Sequence, residues 1–474
     1  MKRLGFWDGD DLDMQAVDAF FTKENELRTE LNKLLAEKRK LDNPEALLRA
    51  IHEKRKKASK IKQAETKARR EKERQEKADR WKQQKEKDIL FLGKGFSNSL
   101  RDKKSDTERL KENGLEVLSS AYGISEAMSI SIADLKFLAY ARKNSKTTNY
   151  HRFYIPKRRG GKRMISAPLP KLKNAQHWIL HNILNKVEVH PAANGCVIGR
   201  SILSNAEVHQ QKAVVINQDL KDFFPTITYE RVRGMFRSLG YSGQVSTIFA
   251  LICTEPHTID IEVYGERFFS QRGKRFLPQG SPCSPAIANI ITRKMDKRLD
   301  GLARKYGFDY TRYVDDLTFS GGPDQLTDIT SVLKFSRRIV RDENFELHPE
   351  KLKVMKKGGQ QSVTGIVVNE KLNVNSKTWR RFKALIYHIE KDGIEGKTWN
   401  GETDLLPIIH GYANFINQVN PERGAMIVPR VKAILATYNY KPQNPYSRKK
   451  RIDNQKGIID SVFNTLKGFF KKKD

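Results

Sequence analysis

Two acids sit side by side in a stretch otherwise suited to strand: Tyr310-Thr311-Arg312-Tyr313-Val314-Asp315-Asp316-Leu317-Thr318-Phe319. The β-branched and aromatic residues on either side favour extended chain, and the acids fit the turn of a hairpin. Adjacent carboxylates at such a turn present the oxygen donors that hard Mg²⁺ takes. Alone, an Asp-Asp pair is ordinary turn chemistry. A second run changes its weight, because Val214-Val215-Ile216-Asn217-Gln218-Asp219-Leu220-Lys221-Asp222-Phe223-Phe224 places another carboxylate, Asp219, at the end of an apolar strand. If the two strands face each other, Asp219 and Asp315 can share a pair of metal ions about 4 Å apart, an arrangement that activates an attacking oxygen and steadies a leaving one. Apolar strand-like runs (213–216, 308–319 and 363–368) mix with amphipathic helical stretches such as 177–187, so the central region is expected to be α+β.

Two further segments carry chemistry. Leu277-Pro278-Gln279-Gly280-Ser281-Pro282-Cys283-Ser284-Pro285 is too rich in Pro and Gly to be regular, and it precedes a helical stretch from Ala286 to Arg298. Such a loop lets backbone approach a flat ligand closely, with Gln279 offering a donor and an acceptor beside it. Upstream, Phe153-Tyr154-Ile155-Pro156-Lys157-Arg158-Arg159-Gly160-Gly161-Lys162-Arg163-Met164-Ile165-Ser166-Ala167-Pro168 reads as a basic hairpin. Its cationic side chains suit a triphosphate, which needs positive charge and forked donors.

The charge balance names the class of partner. With 89 Lys+Arg against 56 Asp+Glu the chain carries a formal +33, which draws polyanions from a distance and makes association salt-sensitive. Nucleic acid leads, with anionic membrane the weaker rival. The three cysteines, Cys196, Cys253 and Cys283, have no paired or metal-finger spacing, so neither a disulfide framework nor a structural zinc site is expected and a reducing cytoplasm fits. The residues after Met1 lack an apolar signal core, and no run approaches the roughly 18 apolar residues of a spanning helix.

Composition divides the chain into four regions. Residues 1–114 read as a charged helical extension. Apolar residues recur at helical spacing through Leu34, Leu35, Leu41, Leu47, Leu48 and Ile51, and then give way to 16 Lys/Arg and 7 Asp/Glu between Lys54 and Asp88. Pairs such as Glu65/Arg69 and Glu73/Lys77 support such a helix in water, and no sustained heptad indicates a coiled coil. It is either a solvated spacer or a surface that grips RNA or protein. Residues 115–369 mix strand-like and amphipathic helical runs. Residues 370–441 are helical, with Trp379, Phe382, Leu385, Ile386 and Ile389 on one stripe and Tyr412, Phe415 and Ile416 on another. Residues 442–474 form a basic linker and a short amphipathic helix, expected to dock on protein rather than membrane.

Together the strand acid, the Leu-Pro-Gln-Gly-Ser-Pro loop and the Tyr-Val-Asp-Asp hairpin, in that order, resemble a reverse transcriptase. The resemblance implies a right-hand polymerase fold with fingers and palm in residues 115–369 and a helical thumb in 370–441. It implies two Mg²⁺ ions held by Asp219 and Asp315, completed by Asp316 and the carbonyl of Leu220. It further implies Phe224 as the aromatic gate against a ribose 2′-OH, Gln279 against the incoming dNTP, and Lys157 and Arg163 on its triphosphate. Lys351 looks like the lysine that protonates departing pyrophosphate, with Lys353 as the alternative. Asn205-Ala206-Glu207-Val208-His209 and Val363-Thr364-Gly365 are similar to two elements of bacterial retron reverse transcriptases, which places Asn205, His209, Val363, Thr364 and Gly365 on the RNA side. The partner so implied is a cognate structured non-coding RNA serving as template and primer, with a branched, RNA-linked single-stranded DNA as product and an effector protein encoded nearby. Val314 stands where alanine is the commoner retron residue. Three other readings stay open: a non-retron defence enzyme, a group II intron-like reverse transcriptase, and a silent RNA-binding scaffold that holds a toxic effector.

Overall fold

The computed structural model describes residues 14–42, 44–156 and 160–441, so the expected C-terminal helix and Lys157 lie outside the described residues. The chain divides into two compact units between Glu86 and Lys87.

The first unit is helical, with helices Met14–Leu41 and Pro44–Lys87. Its apolar side chains, among them Phe20, Leu27, Leu34 and Leu48, are exposed. The long second helix is supported locally: Arg69 pairs with Glu73, and Arg80 with Glu76, each one turn away. Arg69 therefore pairs forward to Glu73, where the sequence pairing pointed back to Glu65.

The expected boundary at residue 114 differs from the fold. From Asp88 onward the chain leaves the helix, and Ile89, Leu92, Leu100 and Leu110 are buried in the core of the second unit. Polar bonds fasten the same stretch: the Gln244 side-chain amide donates to Asp88 Oδ1 (2.8 Å) and to the Leu100 carbonyl (3.0 Å). Burial of four large aliphatic side chains, each about 1.5–3 kcal/mol, is the physical reason this segment joins the folded body.

The strands, in chain order, are β1 (Asn144–Ser145), β2 (Tyr150–Pro156), β3 (Lys162–Pro168), β4 (Val214–Asp219), β5 (Glu255–Val263), β6 (Glu266–Phe276), β7 (Asp309–Tyr313), β8 (Asp316–Gly321), β9 (Lys353–Lys356), β10 (Ser362–Val363) and β11 (Ile366–Val367). The central sheet runs β7-β8-β4-β9, antiparallel throughout. Its residues alternate between two cores. Val214 and Ile216 of β4, with Leu317 and Phe319 of β8, join the larger core, which includes helix Gly243–Cys253. Val215 faces the other way into a second core. That core is filled by helices Ser376–Asp392, Leu405–Val419 and Pro421–Thr437 through Phe382, Ile386, Ile409, Ile416 and Ile427. Of the stripe Trp379, Phe382, Leu385, Ile386 and Ile389, all but the half-buried Leu385 are buried, as the spacing predicts. Among the described residues no helix is long and apolar enough to cross a membrane.

Candidate active site

Register places the acids. β4 and β8 pair so that Asp219 stands directly opposite Asp316, and the β7–β8 turn carries Asp315 to the same edge. There the Leu220 amide donates to the Asp315 carbonyl (2.9 Å). The bonds that flank Leu220, from Lys221 N–H to the Glu346 carbonyl and from His348 N–H to the Asp219 carbonyl, leave the Leu220 carbonyl outside both. Three carboxylates from two distant segments thus meet at one end of the sheet.

Their environment is electrostatically crowded. Burial pushes the Asp315 carboxyl above the usual range, and the neighbouring Asp219 adds to it, while Lys351 and Arg163 act in the opposite sense. Asp316 is pushed up to about 6, first by burial and then by Asp315 and Asp219. Lys351 answers part of this charge, its ammonium donating to Asp219 Oδ2 at 2.7 Å. Lys353 acts on Asp316 only through its field. Among the described residues no three His, Cys, Asp or Glu side chains stand close enough to cage an ion by themselves. The donor set is nonetheless all hard oxygen with surplus negative charge, which fits a divalent cation such as Mg²⁺.

The Pro-Gly loop lies against the basic hairpin. Ser166 N–H of β3 donates to the Gln279 carbonyl (2.7 Å). Gly280 has φ 118°, and a Cβ there would stand 2.8 Å from the Ser166 carbonyl oxygen, so only glycine fits. Buried Gln176 ties the parts together: it donates to the Tyr150 hydroxyl (3.1 Å) and the Ile252 carbonyl (2.9 Å), and accepts from Ser281 Oγ (3.0 Å). Gln279 itself is half-buried, and Arg163 is exposed on β3 opposite Ile155. Phe224 is half-buried, its ring centroid 5.3 Å from that of Phe223, in the turn that follows Asp219.

A scan against family models matches residues 155–386 to "Reverse transcriptase (RNA-dependent DNA polymerase)". Among curated proteins, the Retron Mx162 reverse transcriptase of Myxococcus xanthus is 39% identical over 71% of this chain and 71% of its own length. The chain belongs to the retron reverse transcriptases. It is an RNA-directed DNA polymerase with the right-hand fold of that family. The Retron Mx65 enzyme of Myxococcus xanthus is 36% identical over 71% of this chain and 77% of its own. The Retron Ec86 enzyme of Escherichia coli is 30% identical over 72% and 97% respectively. Among solved structures, telomerase from Candida albicans overlays with TM-score 0.39 at 13% identity, over 63% of this chain and 57% of that one, too weak a likeness to argue from.

The two retron-like elements lie only partly at the surface. Asn205, His209 and Val363 are all 0% exposed, so their side chains cannot touch RNA at the surface. His209 lies against the central sheet, its Nδ1 2.7 Å from Ser320 Oγ of β8 and its Nε2 2.7 Å from Thr311 Oγ1 of β7. Burial lowers its pKa to about 3, so the ring is neutral and donates through one nitrogen while accepting through the other. Thr364 (φ 49°) and Gly365 (φ 86°) form the turn between β10 and β11, and they alone of the five reach the surface. Helix Ile202–Glu207, which carries Asn205, packs against β10 and β11. The two elements therefore meet each other behind the sheet.

Sequence reasoning missed Gln176 and Arg312. Arg312, also 0% exposed, forms a buried two-pronged ion pair with Asp296, Nε to Oδ1 at 2.8 Å and Nη2 to Oδ2 at 2.7 Å. An arginine amid tyrosines and threonines on a buried strand was the available signal.

Proposed function

We propose that this reverse transcriptase copies part of a cognate structured non-coding RNA into RNA-linked, multicopy single-stranded DNA, in the cytoplasm and as part of antiphage defence. The observation that carries the chemistry is the pairing of Asp219 with Asp316 across β4 and β8, with Asp315 drawn to the same edge. The retron product rests on the family. RNA and dNTPs are then the substrates, and an effector protein encoded nearby is the expected partner.

In this reading Asp219 and Asp315 hold two Mg²⁺ ions, with Asp316 and the Leu220 carbonyl as further ligands. Bound there, the ions would lower the barrier to attack by the primer hydroxyl and neutralise the triphosphate. The protein's own residues do the rest. Arg163, whose charge already acts on the Asp315 carboxyl, binds the triphosphate together with Lys157. Gln279 and the glycine beside it present backbone to the incoming base. Phe224 excludes a 2′-OH by occupying its volume. Lys351 gives a proton to departing pyrophosphate from its position on Asp219, a role its contact favours over Lys353. Thr364 and Gly365 contact RNA at the β10–β11 turn, while Asn205, His209 and Val363 serve that surface from beneath.

The test is to express the gene with roughly a few hundred bases of its upstream DNA and extract nucleic acid, beside an Asp315→Ala/Asp316→Ala control. A DNA band that shifts on RNase treatment and vanishes in the control is the expected result. A purified protein that extends an ordinary primer on RNA but yields no such band would remove the retron product and leave the polymerase.

A further inference from the structure

The turn that carries Asp315 is held in a conformation its own residues disfavour. Val314 has φ 58°, a left-handed backbone that a two-residue hairpin turn requires and that Asn or Gly normally supplies. For a β-branched side chain it is strained, and it persists only where the surroundings over-determine it.

The surroundings are unusually specific. Arg312 lies two residues before Val314, and its Nη1 donates to the Val314 carbonyl (3.0 Å) and to Asn289 Oδ1 (2.9 Å). Its remaining prong grips Asp296, whose Oδ1 also accepts from the Tyr310 hydroxyl (2.9 Å). Asn289 donates in turn to the Gly195 carbonyl (2.9 Å). Gly195 runs so close beneath the turn that a Cβ on it would stand 2.5 Å from the Val314 nitrogen. Arg312, Asp296 and Asn289 are all buried, at 0%, 0% and 2% exposure, so none can meet substrate.

Stability alone does not call for this. A buried ion pair loses much solvation, and replacing both partners with apolar groups is often neutral or stabilising. A charged fork that reaches the carbonyl of the strained residue serves placement instead. We propose that Arg312 is a positioning residue for polymerisation. By fixing the Val314 carbonyl it locks the left-handed turn and so aims the Asp315 carboxylate across the sheet at Asp219, an inference that rests on the catalytic reading of Asp315. Lysine cannot substitute, because a point charge lacks the fork that serves Asp296, Asn289 and the carbonyl together.

The experiment compares full-length Arg312→Met/Asp296→Leu, which removes both buried charges at once, with the parent and with Asp315→Ala. The expected result is melting within a few degrees of the parent and kcat lower by about 10²-fold, the scale of loss that a 1 Å misplacement brings. KM for dNTP and affinity for RNA stay within about twofold, and adding Val314→Gly recovers several-fold in kcat, since glycine takes this φ unaided. A stable double variant with kcat within about twofold of the parent overturns the inference, as does a loss carried by weaker RNA binding. If that variant does not fold, Arg312→Lys decides: a lower kcat at unchanged KM supports the positioning role, and the parental rate overturns it. An active Asp315→Ala would instead remove the catalytic reading on which the inference stands.

Discussion

The central sheet and the N-terminal helix Pro44–Lys87 hold their charged residues in opposite ways. In the sheet the charges at the site have their places set by something distant in sequence: Asp219 by β8 and Lys351, Asp315 by the Leu220 amide, Arg312 by Asp296 and Asn289. In the helix each described ion pair lies one turn away on the same element and stands in solvent. The contrast teaches that the same residue types are cheap to change where water surrounds them and costly where geometry depends on partners.

The largest expected effect tests the first half of that contrast. Asp315→Asn should lower primer extension by about 10³-fold or more while far-UV circular dichroism is unchanged; an active variant would sink the site. Next come positions where space is exhausted. Gly280→Ala forces a side chain into a left-handed backbone against the Ser166 carbonyl, and it should cost about 1–3 kcal/mol in urea unfolding together with a clear loss of rate. His209→Ala should cost a similar amount, because it leaves the Ser320 and Thr311 hydroxyls buried without their partner; unchanged stability would show that the ring does not tie the sheet together.

A smaller effect has a definite sign in pH. The Asp316 carboxyl titrates near 6 in the folded protein, above its unfolded value. Its charge therefore weighs against folding above pH 6, and the penalty is relieved as pH falls through 6 toward 4. The Asp316 side chain is exposed at the sheet's end, so solvent screening limits the effect. Without divalent ions, Asp316→Asn should be more stable than the parent at pH 7.5 by at most about 1 kcal/mol. The difference should vanish by about pH 4, and a gain that persists there would point to a cause other than charge. The smallest change is expected in the helix: Arg69→Ala or Arg80→Ala should alter stability by less than about 0.5 kcal/mol, and a larger loss would mean that the helix has a partner.

Much of this was legible because it is local. The strand acids, the hairpin around Asp315 and the stripe of Trp379, Phe382, Ile386 and Ile389 announce themselves within a dozen residues through period-two or helical spacing. What stayed hidden depends on partners brought from afar. His209 looks like a surface ligand until two hydroxyls from β7 and β8 close around it. Arg312 looks like one more cation in a basic chain until Asp296 is folded onto it. The span from Asp88 to Gly114 carries its aliphatic residues at irregular spacing, so only the core they enter shows that they belong there.

The helix Pro44–Lys87 has 44 residues and no glycine or proline beyond its first position. At 1.5 Å per residue it spans about 66 Å, whereas a flexible linker of the same length would average about 36 Å between its ends. The same stretch of chain thus acts as a ruler rather than a tether. Whatever engages one end is kept at a fixed reach from the other, and any insertion or deletion along it would change that reach and also the direction in which its basic residues point, by about 100° for each residue.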